Sequence, residues 1–191
     1  MKTWFAYGGI AASIVMIAFG AGAIGIGALG INEVRDKLAQ EKITASADDP
    51  AAKEQGIAGS KIDTGEEAKA FASMMREHTL AITDGRTYAE MGRFLDKNGK
   101  ETSDEALAAK DPETGQPVAN PVRDVWVTET ALTTALNQSF FAERVAVFSI
   151  VMGIALLLTG IGFLVLTLSG ALGVVPAPRR RTKLDTASAA T

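Results

Sequence analysis

Of the side chains that ordinarily carry catalysis or bind soft metals, the 191-residue sequence offers one histidine, His78, and no cysteine. Zinc, copper and iron centres draw on several imidazole or thiolate donors, so such a centre lacks its ligands within the chain. Serines and threonines are plentiful, but a nucleophile needs a neighbouring base, and one histidine without a G-x-S-x-G turn singles out none of them. No phosphate-binding glycine loop precedes a lysine. His78 itself falls on the apolar edge of a helical pattern, where histidine more often packs or faces a partner than catalyses. Hard cations are the remaining option. The stretch DKNGKETSDE supplies oxygen donors at Asp96, Asn98, Glu101, Asp104 and Glu105. An EF-hand would need an acidic or amide side chain where Lys100 stands and glycine one place later, so a solvated turn is favoured over a Ca²⁺ site. The expectation is a non-enzymatic chain with no cofactor and no metal.

The elements that would position these residues follow from the distribution of charge. No charged residue occurs from Trp4 to Ile31 or from Val145 to Val175, runs of 28 and 31 residues. Crossing roughly 30 Å of hydrocarbon takes about 20 helical residues, so each run is long enough to span a bilayer with some surplus. A cleaved signal peptide would have a shorter apolar region of roughly 7 to 15 residues, so the first run reads as an uncleaved anchor. A soluble alternative would need two helices apolar on every side within this short chain. The predicted organisation is an N-terminus at 1–4, membrane helices at 5–31 and 145–172, an extracytoplasmic head and stalk at 32–144, and a basic tail at 173–191.

Orientation follows from basic residues near the span ends. Arg179, Arg180, Arg181 and Lys183 lie beyond the second run and Lys2 before the first, which predicts a multi-pass protein of the cell membrane with both termini cytoplasmic. The 113 residues from 32 to 144 hold 14 basic and 21 acidic side chains, a net charge of −7, and long segments cross the membrane largely regardless of charge. Trp4, Phe5 and Tyr7 would form the inner aromatic belt, Phe140 and Phe141 the outer one. Without cysteine the outer segment has no disulfide, and its order must come from packing and the two anchors.

Within the outer segment, NEVRDKLAQEKI carries Glu33/Lys37 and Lys37/Glu41 at i,i+4 spacing, which predicts that the first membrane helix continues outward for about three turns. Residues 45–61, rich in Ala, Gly, Asp and Ser, read as a loop or linker. Thr64 and Glu67 have capping-box spacing, and Ala68, Phe71, Met75, His78 and Ile82 recur at helical intervals, predicting a helix over 65–83. Asn98-Gly99 is a turn signal for a small hairpin at 93–102. A short helix near 103–110 and an extended stretch around Pro117 and Pro121 follow. From 122 to 172 one helix is expected, which at 1.5 Å per residue would measure roughly 77 Å and leave about half standing outside as a stalk. Val125, Leu132, Leu136 and Phe140 form its apolar stripe, expected to pack on the 65–83 helix and the outward end of the first span. The predicted fold class is mainly α and integral to the membrane. It is a two-span helical hairpin with long extramembrane helix extensions and a small helical head containing a β-hairpin.

The first span is dense in glycine. Ala18/Gly22, Ala21/Gly25 and Ala23/Gly27 are small-xxx-small pairs suited to close helix approach in lipid, and Ser149, Gly153 and Gly160 give the second span a matching stripe. Glycine-dense two-span hairpins resemble the rotor-ring subunit of ATP synthases. That family carries its ion on a membrane-embedded carboxylate, which neither run here contains, and the 113-residue outer segment is far longer than such subunits allow. The same absence argues against a proton relay, a voltage sensor or a charged substrate path. Ser13, Ser149, Thr159 and Thr167 could line a pore in an oligomer, or could equally bond to their own helix backbones.

The stretches MKTWFAYGGIAASIVMIAFG, TYAEMGRFLDKNGKETSDE, DPETGQPV and VWVTETALTTALNQSFFAERVAVFSIVMGIALLLTGIGFLVL together resemble a family of small actinobacterial two-span membrane proteins over most of the chain. The resemblance implies no established activity and no functional residue. Some similar sequences carry the label of an aromatic ring-opening dioxygenase; such enzymes hold iron with two histidines and a carboxylate, a set that one histidine cannot provide.

These features lead to one expectation and its rivals. The leading one is an oligomeric structural or accessory component of the cell envelope whose partners are the lipid bilayer and either further copies of itself or a larger membrane complex, with no nucleic acid. A sensor or ligand-binding module of the outer segment is the second reading, and an oligomeric pore a third. The short tail PAPRRRTKLDTASAAT lacks a signalling domain, and its arginines would meet anionic lipid at about 1 kcal/mol per basic residue.

Overall fold

The computed structural model describes residues 2–171, with side chains from Tyr7 onward. The topology residues Arg179, Arg180, Arg181 and Lys183, and the side chains of Trp4 and Phe5, lie outside the described residues. The element order is α1 (Lys2–Glu41), α2 (Pro50–Glu54), α3 (Gly65–Ile82), a 3-10 turn (Tyr88–Glu90), β1 (Phe94–Leu95), β2 (Glu101–Thr102) and α4 (Pro121–Leu168). The fold is mainly helical, and α1 and α4 are each long and apolar enough to cross a membrane.

Local sequence explains the element ends. Lys42 takes a left-handed conformation (φ 53°) just beyond α1. Pro121 opens α4, where its missing N–H is harmless, and Asn120 Oδ1 accepts from Val122 N. α4 ends at Leu168, four residues before the expected limit, and Gly170 follows in the left-handed conformation (φ 73°) that commonly stops a helix. The capping box of α3 forms as its spacing predicts. Glu67 N donates to Thr64 Oγ1, and Thr64 N donates to Glu67 Oε2.

The chain divides into two compact units, one of residues 1–28 with those from 147 onward, the other of residues 29–146. In the first, the segments of α1 and α4 run antiparallel along a seam of small residues. Ser13, Gly20 and Gly27 of α1, and Gly153, Gly160 and Thr167 of α4, are buried at seven-residue intervals, the repeat that keeps one helix face toward its neighbour.

In the second unit a core of Leu38, Ala45, Ala52, Ile57, Ile62 and Ala68 extends to Ala72, Met74 and Leu136. It draws on α1, α3, α4 and the segment expected to be a loop or linker. Most of that segment is loop, as expected, but it packs into the core and contains the short helix α2, which is a correction. Asp49 caps α2 through Ala51 N and Ala52 N, and Pro50 stands at its first turn. Backbone bonds from Ala45 N to Ser60 O and from Ile62 N to Ile43 O close the loop on itself, and two of its alanines, Ala45 and Ala52, are small enough to bury completely. A second correction concerns 103–110, which is not helical. Asp104 Oδ1 accepts from Ala106 N, while Ala109 N donates to Leu95 O and Val118 N to Ala109 O. A turn cap and strand-like pairing therefore outcompete a helix whose first residues are polar. The hairpin itself forms, antiparallel, with Phe94 opposite Thr102 and Leu95 opposite Glu101.

Candidate functional site

The residues expected to mediate helix packing divide between two surfaces. A Cβ on Gly160 would lie 2.9 Å from Ile17 Cγ1 and 3.0 Å from Ser13 O, and one on Gly9 would lie 3.1 Å from Thr167 Oγ1. Gly20 and Gly153 face each other at comparable range, and Gly27 is buried on the same face. Ser149 Oγ donates to Ala23 O at 3.0 Å, a side-chain bond from one long helix to the backbone of the other. Ala18, Ala21, Gly22 and Gly25, by contrast, are exposed, and nothing lies within 4 Å of a Cβ on Gly22 or Gly25. The seven-residue interval builds the seam within the chain, and four of the residues in i,i+4 pairs remain outside it. Ser13, Thr159 and Thr167 donate to carbonyls one turn back on their own helices, Gly9, Ala155 and Phe163 respectively, so their hydroxyls are already engaged.

In the unit of residues 29–146, one carboxylate joins three helices. Glu143 Oε1 accepts from Arg35 Nη2 at 2.8 Å and Nε at 3.3 Å, while Oε2 accepts from the backbone N of Gly65, the first residue of α3. A carboxylate at a helix N-terminus meets both a free N–H and the positive end of the helix dipole. Arg144 pairs with Glu66 beside it, and Lys69 and Arg144 flank the Phe140 ring at 4.7 and 5.0 Å. A Cβ on Gly65 would lie 3.0 Å from Phe140 Cα, so glycine there permits the close approach of α3 to α4. In the sequence Glu143 and Arg144 are simply the last charges before the second charge-free run. Nothing in their own neighbourhood points to partners 78 and 108 positions away.

Between α1, α3 and α4 lies a cavity of about 830 Å³, within the size range of small-molecule sites. Its walls are Leu38 from α1, Phe71, Met74 and Met75 from α3, and Leu132 and Leu136 from α4. Lys37, Glu41, His78 and Ser139 supply polar groups. Methionines make such a wall adaptable. Leu132 of the predicted stripe thus faces the cavity and is half exposed, Leu136 is in the core, and the buried residues of the neighbouring turns are Trp126 and Glu129.

His78 faces the carboxylate of Asp49. Its Nε2 lies 3.0 Å from Asp49 Oδ2, tying α3 to the cap of α2. Partial burial acts upward on the Asp49 carboxyl, but the bond to His78, the N–H groups of Ala52 and Ala51 and the His78 charge outweigh it and hold the group below its ordinary value.

The five oxygen donors considered for Ca²⁺ are not brought together. Asp96 Oδ1 accepts from Asn98 N and Lys100 N, closing the hairpin turn, and these bonds lower its pKa. Glu101 makes a two-pronged pair with Arg86 (Nη1–Oε2 2.8 Å, Nη2–Oε1 3.2 Å) and accepts from Gly92 N. Arg86 first, then the Gly92 N–H, holds Glu101 below the usual carboxylate range. Asp104 caps its own turn. Among the described residues no three His, Cys, Asp or Glu side chains gather as metal ligands. The Arg86 backbone is fixed in turn, since its carbonyl accepts from Trp126 Nε1 at 3.1 Å and from Thr83 Oγ1 at 2.6 Å. No family model, no curated protein and no solved structure matches the chain.

Proposed function

We propose that the chain is a two-span integral protein of the cell membrane, with both termini cytoplasmic and residues 32–144 outside. In this reading it is a non-enzymatic, oligomeric structural or accessory component of the envelope. The observation that carries the proposal is the outer surface of the two long helices. Phe19 and Ile26 of α1 are 70% and 71% exposed, and Phe148 and Leu158 of α4 are 64% and 63% exposed. Soluble monomers rarely expose contiguous apolar surface on this scale, whereas lipid or another membrane helix would cover it. Assembly is supported by the small residues left outside the intrachain seam, Ala18, Ala21, Gly22 and Gly25, where a second helix backbone has room to approach.

The absence of native cysteine makes topology directly testable. A single cysteine introduced as Lys97→Cys is expected to react with a membrane-impermeant maleimide on intact cells, and one introduced as Thr191→Cys only after lysis. Extraction of the protein by alkaline carbonate, or the reverse labelling pattern, would overturn the reading.

The cavity among α1, α3 and α4 favours a second reading, in which the outer segment binds an apolar ligand. A thermal-shift screen of the full chain in mild detergent distinguishes the two. Saturable stabilisation by an apolar compound, lost on Leu136→Asn, supports ligand binding; uniform indifference supports a purely structural part.

A further inference from the structure

The cavity among α1, α3 and α4 has an ordered rim. α1 leaves the first charge-free run at Ile31 and α4 enters the second at Val145. The cavity residues closest to those points along the two helices, Lys37 and Ser139, each stand six positions away. Six helical residues rise roughly 9 Å, while headgroups extend roughly 5–8 Å beyond the hydrocarbon on each side. In the membrane reading the near end of the cavity therefore opens just above the headgroups of the outer leaflet. Glu41, one turn further along α1, stands on the outer side of the same rim.

Two of the four polar rim groups are already engaged. Ser139 donates its proton to Ala135 O, and His78 pairs with Asp49. Lys37 and Glu41 belong to no ion pair among the described residues, whose pairs are Arg35–Glu143, His78–Asp49, Arg86–Glu101 and Arg144–Glu66. α1 ends at Glu41, so the negative end of its dipole reinforces that carboxylate. The wall beneath the rim is apolar, with Leu38, Phe71, Met74 and Leu136, and methionine adapts to a flexible chain.

A phospholipid in the outer leaflet carries its phosphate nearer the hydrocarbon and its ammonium farther out. Lys37 and Glu41 present the complementary charges in the same order, the cation on the membrane side and the carboxylate beyond it. Moving one acyl chain from the bilayer to this wall changes little, because lipid tails and leucine side chains are equally apolar. The head contacts therefore decide which lipid is held.

We propose that the cavity holds one acyl chain of an outer-leaflet phospholipid with an ammonium head, such as phosphoethanolamine, its phosphate on Lys37 and its ammonium on Glu41. The proposal rests on the membrane reading and on the reading of the cavity as a site for an apolar ligand.

The test places the full chain in nanodiscs of phosphatidylglycerol containing a trace of phospholipid with a diazirine on one acyl chain, its head either phosphoethanolamine or phosphoglycerol. After irradiation, peptide mass spectrometry compares labelling of the cavity wall, residues 71–75 and 132–136, with labelling of the two charge-free runs as an internal reference. The expected result is wall labelling that favours phosphoethanolamine by about twofold to fivefold, the range of partly exposed charge pairs. Glu41→Gln should remove that preference by lowering the phosphoethanolamine signal alone. Lys37→Gln should lower both signals by a similar factor, since both heads carry the phosphate. Ala135→Trp, at an exposed position on the cavity edge, should abolish wall labelling and leave the reference unchanged. Equal wall labelling by the two probes, or a preference retained in Glu41→Gln, would overturn the proposal and leave the cavity a site for apolar ligands of any head. Wall labelling no higher than in Ala135→Trp would overturn both. Absence of labelling in the charge-free runs would overturn the membrane reading itself.

Discussion

A Cβ on Gly153 would stand 2.7 Å from the carbonyl oxygen of Gly20, and one on Gly20 would stand 2.7 Å from the carbonyl oxygen of Gly153. The relation is reciprocal because the two helices run antiparallel with their backbones in near contact. Side chains at either position would have to push a backbone aside. Gly153→Leu is therefore expected to destabilise the seam by about 1–3 kcal/mol or more, as overpacking generally does. Gly22→Leu, with open space around it, should leave the folded monomer unchanged. Thermal unfolding of the two variants in the same detergent checks the contrast, and equal losses would show that the seam is placed wrongly.

Ser149 contributes the side-chain hydrogen bond across that seam. Its replacement by alanine leaves the Ala23 carbonyl with its own helical bond and loses one interhelical contact, expected to be about 0.6 kcal/mol, typical of such bonds between membrane helices. Ser13→Ala and Thr159→Ala remove only bonds to their own helices and should have smaller effects on unfolding.

Glu143 should be the most sensitive charge in the unit of residues 29–146, since one carboxylate serves Arg35 and the N-terminus of α3 together. Glu143→Gln is expected to lose about 1–3 kcal/mol, because charge-assisted bonds exceed neutral ones. Arg144→Gln breaks a pair whose members are both more than half exposed and should lose well under about 1 kcal/mol. Hydrogen exchange at the first turn of α3 provides the readout, with faster exchange expected in Glu143→Gln and little change in Arg144→Gln.

Acid stability follows from the carboxylates held below their ordinary values. For Glu101 the Arg86 guanidinium is the main cause. A folded-state pKa below the unfolded one stabilises the protein at pH values above the unfolded value of about 4.3, and the contribution is lost as pH falls through the depressed folded value. Asp49, Asp96 and Asp111 shift in the same direction. Stability of the full chain should therefore fall on acidification below about pH 4.3, and Glu101→Gln should make that fall shallower by removing one titrating group. An unchanged acid limb in Glu101→Gln would contradict the role given to its pair with Arg86.

Much of the helix layout was legible because it is local. The two charge-free runs, the Thr64/Glu67 box and Asn98-Gly99 each announce a structure within a few residues, and α3 and the hairpin lie where their signals place them. The segment around α2 was not, since alanines and an Asp-Asp-Pro sequence look like a linker until Leu38, Ile62 and Ala68 are seen to cover them. In the glycine-rich span, small residues at both i,i+4 and seven-residue spacing coexist, and the sequence has no means of assigning one set to the intrachain seam. The partners of Glu143 and the burial of Glu129 depend on α3 lying beside α4, a long-range fact. The cavity likewise exists only once three separate helices share a core.

The central claim is that the protein works as an assembly in the membrane. Native mass spectrometry of the particle, released from its own membrane in a mild detergent, tests it most directly. The account predicts a discrete mass above that of one 20.0 kDa chain, homomeric or with a partner, that is lost in a Gly22→Leu/Gly25→Leu variant whose monomer still folds. A particle that is monomeric in detergent and stays monomeric on return to a bilayer would contradict it.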